Sequence, residues 1–239
     1  MKDNCNLCNS QLNSKMKRSQ VNQIIKNSFE YINQLGFKLP KWAFWTKKEW
    51  KENKDRCSEI FENQLGWDLT DFGSGDFENS GLLLFTIRNG EKKSYCEKLI
   101  LLENKQVCPS HFHWKKTEDV INRGGSNLIF QLYNSVKDQE GEYSQENVKV
   151  QIDGISHEFK AGELIMLETG QSICLEPYTY HSFWAEDFKG KCLVGEVSKR
   201  NDDKTDNRFK VPVQRFAEIE EDEEPIALLA GDYEKFITC

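Results

Sequence analysis

Between Trp67 and Val197 the chain proceeds as short apolar or alternating runs closed by turn signals, and this rhythm narrows the possible folds more than any other feature. The runs lie at 82–87, 98–102, 128–133, 148–152, 155–159, 164–167, 172–175, 182–186 and 192–197. Asn89-Gly90, Asp153-Gly154, Ala161-Gly162, Thr169-Gly170 and Lys189-Gly190 punctuate them. Asn-Gly and Asp-Gly readily supply the positive φ of a tight hairpin. Strands this short, with a turn every eight to ten residues or so, pair antiparallel and close into a barrel or a sandwich. No repeat of roughly 20 to 50 residues runs through the chain.

At 239 residues the chain can bury a full core as one main domain. The expected divisions are a polar N-terminal tail at 1–18, a helical segment at 19–66 and a β-barrel at 67–239, with the helices packed on the barrel as one structural domain. Val21, Ile24, Ile25, Phe29, Ile32 and Leu35 recur at three- and four-residue steps before Gly36, which predicts an amphipathic helix over 20–35. An extended aromatic connection follows from Leu39 to Trp45. Thr46 and Glu49 form a capping box that opens a second helix, carrying Trp50, Cys57, Ile60 and Phe61 to about Gln64. Glu218, Glu220, Glu221, Asp222, Glu223 and Glu224 read as a solvated acidic segment, because like charges this dense repel.

The net charge of −7 and a pI near 5.3 argue against a nucleic-acid partner, which calls for a basic face. No stretch resembles a signal peptide or a membrane span, so a cytoplasmic protein is expected. Eight scattered cysteines in such a chain are expected as reduced thiols. Cys5-Asn6-Leu7-Cys8 lacks the further ligands of a closed zinc site.

The chemistry concentrates in Ser110-His111-Phe112-His113-Trp114-Lys115-Lys116-Thr117-Glu118. On a strand, residues two apart share a face, so His111 and His113 can reach one ion. Glu118 lies far enough on for the chain to turn and present a carboxylate beside them. A proline-marked turn in Glu176-Pro177-Tyr178-Thr179-Tyr180-His181 delivers the best fourth ligand, His181. Three imidazoles and a carboxylate suit Zn, Mn, Fe, Co or Ni with positions left for a substrate. His157, beside the Asp153-Gly154 turn, is assigned to an ordinary hairpin.

The His-x-His-x4-Glu set and the distant histidine resemble the two metal motifs of the cupin superfamily, the second running from Gly162 through Pro177 to His181. The match narrows further. The stretches 67–77 (opening Trp67-Asp68-Leu69-Thr70-Asp71), 111–125 (closing Arg123-Gly124-Gly125), 176–184 and 195–209 (Gly195-Glu196 through Asp206-Asn207-Arg208-Phe209) look like the D-lyxose ketol-isomerase family, across about residues 40–225. The resemblance implies a mainly β protein, a cupin-type antiparallel β-barrel (jelly-roll) with N-terminal helices packed on it. It implies Mn²⁺-dependent interconversion of D-lyxose with D-xylulose, and of D-mannose with D-fructose, by a homodimer acting on free sugars. Carried over residue by residue, the metal ligands are His111, His113, Glu118 and His181, and the active-site lysine is Lys116. The further acid-base carboxylate is left among Glu196, Asp206 and Glu218.

Such chemistry moves a proton between C2 and C1 of an open-chain sugar through a cis-enediol, so it asks for a Lewis acid and a positioned base. Lys116 is expected to approach the sugar oxygens. If the strand holding Glu196 lines the interior, apolar walls would raise that carboxylate's pKa and suit it as the base. Asp206 and Arg208 either meet sugar hydroxyls or cap a turn. Glu218 is placed with Trp114 and Arg208 among sugar-binding candidates; Trp114 and Trp184 either stack on a sugar or pack the core. Arg123-Gly124-Gly125 reads as a tight turn. The alternatives are a phosphosugar isomerase, an iron dioxygenase, or a sugar-binding cupin without turnover.

Overall fold

A computed structural model describes residues 16–90, 92–104, 106–136, 139–202, 205–213 and 219–238, so Cys5, Cys8 and Glu218 lie outside the described residues. The N-terminal part runs β1 (Met16–Lys17), α1 (Arg18–Gln34), a 3₁₀ turn at Lys41–Phe44, α2 (Lys47–Asn53) and α3 (Ser58–Glu62). Strands follow: β2 (Gly66–Thr70), β3 (Leu82–Arg88), β4 (Tyr95–Leu102), β5 (Val107–His113), β6 (Glu118–Gly125), β7 (Leu128–Val136), β8 (Gln139–Tyr143) and β9 (Val148–Ile152). The remainder are β10 (Ile155–Phe159), β11 (Leu164–Leu167), β12 (Ser172–Leu175), β13 (Thr179–Ala185), β14 (Cys192–Lys199), β15 (Asn207–Phe209) and β16 (Ile219–Glu220).

One antiparallel sheet has the order β10-β9-β12-β6-β14-β4-β3-β2 and the other β11-β7-β13-β5-β15, with β8 added on β7. Partners distant in sequence lie side by side, as β13 does between β5 and β7, which is jelly-roll wiring rather than a chain of hairpins. At the Asp153-Gly154 hairpin both residues have positive φ (51° and 78°), the conformation a two-residue turn demands.

Strand parity sorts the side chains. In β3 and β4, Leu82, Ile100 and Leu102 face the shared interior with Phe130, Leu132, Ile173 and Phe183, while Leu83, Phe85, Leu99 and Leu101 face the other side. That other side is covered by α1, whose Val21, Ile25 and Ile32 are buried against it, and by Trp67 and Ala43. Both faces of the central strands are thus apolar, which is why they read as continuous apolar runs. Tyr31 of α1 reaches over the sheet and donates to the Lys191 carbonyl at 2.9 Å. Gly125 makes that approach possible: at φ +99°, a Cβ there would lie 2.1 Å from the Tyr31 hydroxyl and 2.2 Å from the Lys191 oxygen. Arg123-Gly124-Gly125 is therefore a strand end beside a bulge rather than a free turn.

Two expectations need correction. The second helix is broken: the capping box of Thr46 and Glu49 forms as expected, but the helix yields at Asn53 to a 3₁₀ turn at Lys54–Arg56 before α3. Asn53 turns its side-chain amide back onto the Glu49 carbonyl, the local competition that makes asparagine a poor interior helix residue. The acidic segment is docked, not merely solvated. Arg18 is buried and forked to both oxygens of Glu221, each at 2.8 Å, and to both of Asp232 at 2.8 and 2.9 Å. Asp222 accepts from the Ser19 amide and hydroxyl, Glu223 from Asn22, and Glu224 pairs with Lys47. The carboxylates gather on the first turn of α1, where free N–H groups and the helix dipole favour negative charge.

Candidate metal centre

His111 and His113 share the inward face of β5, and β13 lies antiparallel to it with His181 directly opposite His111. The chain leaves β5 at His113, turns through 114–117, and enters the facing sheet at Glu118, the first residue of β6. All four side chains are buried. The Nε2 atoms of His111 and His181 are 3.1 Å apart, His181 Nε2 is 3.1 Å from Glu118 Oε1, and His113 Nε2 is 3.3 Å from that same oxygen.

The opposite ring nitrogens settle what those atoms are. Nδ1 of His111 lies 2.8 Å from the Pro109 carbonyl, Nδ1 of His113 3.0 Å from that of Asp206, and Nδ1 of His181 3.0 Å from that of Thr179. A carbonyl only accepts, so each Nδ1 carries a proton, and a ring in its neutral form then turns the lone pair of Nε2 to its neighbours. Three lone pairs and a carboxylate oxygen then converge, and His113 Nε2 is buried without a hydrogen bond. Acceptors crowded this way repel unless a cation lies among them. Metal–ligand bonds of roughly 2.0–2.2 Å place adjacent ligands of one ion about 3.0–3.5 Å apart, the spacing seen here. The residues fit a divalent metal.

Burial, then the neighbouring His181 and His113, holds His111 well below the ordinary imidazole value, so it stays neutral and able to ligate. Burial by itself raises the pKa of Glu118, but Lys116 and then His113 more than offset this and keep it well below the usual carboxylate range. Lys116 Nζ is 2.7 Å from Glu118 Oε2 and 2.9 Å from Glu196 Oε1. Glu196 does face the interior from β14, but its expected raised pKa is corrected. Burial pushes it up, and Lys116 and Lys98 together bring it below the ordinary value. The wall around it is ionic where apolar side chains were expected.

A model of the D-lyxose isomerase family matches residues 16–233. The chain belongs to the D-lyxose isomerase family. It is 44% identical to a D-lyxose/D-mannose isomerase of Serratia proteamaculans over 93% of this chain and 100% of that protein, and 42% identical to one of Escherichia coli O157:H7 over 92% and 100%. This is a family of sugar isomerases, and the chain is an enzyme of that class. The fold likeness reaches further than the sequence. The L-ribose isomerases of Acinetobacter sp. DL28 and Cellulomonas parahominis superpose with a TM-score of 0.58 at 13% identity, covering 87% of this chain and 99% and 100% of theirs. The architecture is accordingly the cupin-type β-barrel.

Within this family member the metal-ligand candidates and Lys116 meet in one cavity with Glu196, whereas other candidates fall elsewhere. Asp206 spends its carboxylate on the backbone amides of Lys115 (2.8 Å) and Lys116 (3.0 Å), and its carbonyl on His113, so it shapes the ligand loop rather than facing the cavity. Trp114 has the opposite parity to His113 and packs on Phe112 and Tyr178 outside the cavity. Arg208 lies between Asn207 and Phe209, and these two line the cavity while Arg208 does not. His157 stacks on Phe159 on a hairpin, as expected. Lys98 was missed. It opens an apolar run in phase with Ile100 and Leu102, and a lysine at an inward position was the available signal. Asn201, whose Oδ1 is 3.4 Å from Lys116 Nζ, gave no signal because it sits in a polar loop.

Proposed function

We propose that the chain interconverts D-lyxose with D-xylulose and D-mannose with D-fructose, as a Mn²⁺ enzyme held by His111, His113, Glu118 and His181. The observation that carries this is the convergence of four candidate ligand atoms beside the Lys116–Glu196 pair in one cavity. A relative named for both lyxose and mannose fits the chemistry, since the two aldoses share their configuration at C2, C3 and C4. Co, Fe, Zn and Ni suit the same donor set.

When bound, the cation supplies Lewis acidity toward two adjacent sugar oxygens. The chain does the rest. Glu196 stays ionised, its Oε1 held by Lys116 and by the Ser198 hydroxyl at 3.0 Å, and its other oxygen removes the C2 proton and returns it to C1. Lys116 donates to the oxygens, where the hydroxyl proton passes from O2 to O1 as the carbonyl moves from C1 to C2. Leu84, Ile100, Val120 and Phe183 wall the cavity with apolar surface that excludes competing water. The lysines in the cavity already face carboxylates, which disfavours a phosphosugar.

A homodimer is supported by Leu164 and Met166, which stand exposed on the edge strand β11, and a reducing cytoplasm by the free thiols of Cys57, Cys96, Cys108, Cys174 and Cys192. No helix among the described residues is long and apolar enough to cross a membrane. The test is removal of metal by chelation, Mn²⁺ add-back, and assay of D-xylulose from D-lyxose and D-fructose from D-mannose. Ketose formation that returns with Mn²⁺ supports the proposal. Sugar binding without ketose, or oxygen consumption with Fe(II), overturns it.

A further inference from the structure

Lys98 is a buried lysine in the cavity wall that the proposed chemistry leaves without a role. Its place is set by register: β4 and β14 pair so that Lys98 stands directly opposite Glu196, and its Nζ lies 3.5 Å from Glu196 Oε1. Lys116 (2.9 Å) and the Ser198 hydroxyl (3.0 Å) meet the same oxygen. Two hydrogen-bond donors and a second ammonium therefore converge on Oε1. Burying an ammonium is costly unless it is paired, so a lysine on this wall is tied to the carboxylate it faces.

We propose that Lys98 is a positioning residue: it holds Oε1 of Glu196 from the neighbouring strand β4 and so keeps Oε2 turned to the reacting carbon. This rests on the isomerase reading above. Lys116 cannot fill the role by itself, because its ammonium is shared with Oε2 of Glu118 at 2.7 Å. The charged and titratable groups around Glu196 are Lys98 on β4, Lys116 in the loop before β6, Glu118 on β6 and Cys108 on β5, and Asp68 on β2 lines the same cavity. Removing Lys98 leaves Glu196 with one shared cation and a like charge nearby.

The test compares Lys98→Met, which keeps the side-chain length, with Lys98→Arg and Lys98→Gln, all Mn²⁺-loaded, following kcat, KM, metal content and the pH profile of kcat/KM on D-lyxose. In Lys98→Met we expect kcat to fall about tenfold or more, KM to stay within about twofold, and the acid limb of kcat/KM to move to higher pH. Lys98→Arg restores both kcat and the acid limb toward wild type, with metal content equal throughout. Should Lys98→Met fail to fold, Lys98→Gln is read by the same criteria. An unchanged kcat and acid limb overturns the inference, as does loss of metal from the variant, which would make Lys98 a prop of the metal centre. A wild-type chain that forms no ketose overturns the isomerase reading itself, whereas an active wild type with an indifferent Lys98 overturns this inference alone.

Discussion

Nδ1 of each proposed ligand histidine faces a backbone carbonyl on the far side of the ring, and in a neutral ring that bond leaves the lone pair on Nε2, where a metal would take it. Glu118 is the proposed anionic ligand, and its second oxygen also neutralises buried Lys116. Glu118→Gln should weaken metal binding by more than the roughly 10–100-fold typical of a lost outer partner, as read by isothermal titration with Mn²⁺. A variant that binds as tightly as wild type would remove Glu118 from the ligand set. At Gly125 the constraint is steric: Gly125→Ala meets Tyr31 and Lys191 and takes an unfavourable φ. Strain in the backbone alone costs about 1–3 kcal/mol, so urea unfolding should show at least that loss, with metal content unaffected in the folded fraction.

Between elements, the clasp that joins α1 to the C-terminal segment is ionic and buried. Arg18→Met leaves Asp232 without its cation and Glu221 with Lys235 alone, at 2.7 Å, and a loss of about 3–5 kcal/mol in denaturant unfolding is expected. The same clasp is sensitive to acid. The Glu221 carboxyl is brought down to about 2, chiefly by its hydrogen bonds from Arg18 against the opposing effect of burial. A carboxyl depressed in the folded state contributes stability in full above its unfolded value near about 4.3, and that contribution fades as pH falls toward 2. Melting temperature measured from pH 6 to 2.5 should drop less steeply in Glu221→Gln than in wild type over this window. Parallel slopes would show that the clasp does not govern acid stability.

For the molecule as a whole, the proposed ligands come from both sheets, so a bound metal would cross-brace the barrel. Metal at about 100 times its dissociation constant adds about 2.7 kcal/mol to a folded state that alone binds it. For a chain of this size that corresponds to a rise of about 5–10 °C in melting temperature, absent in Glu118→Gln and reversed by chelator. A melting temperature indifferent to metal would mean that the four side chains do not share an ion.

Local rules made much of this legible from the sequence. The turn dipeptides and short runs announced antiparallel strands, the apolar stripe from Val21 to Ile32 announced α1, and the same-face rule for His111 and His113 held because alternation along a strand needs no knowledge of its neighbours. What depended on partners distant in the chain was decided by the tertiary structure. Glu196 lies below its ordinary pKa because β4 brings Lys98 opposite it and the loop after β5 brings Lys116, two lysines respectively 98 and 80 positions away in sequence. The acidic segment is docked because α1 presents Arg18 some 203 residues from Glu221. Charge state and burial are properties of neighbours, and only folding chooses the neighbours.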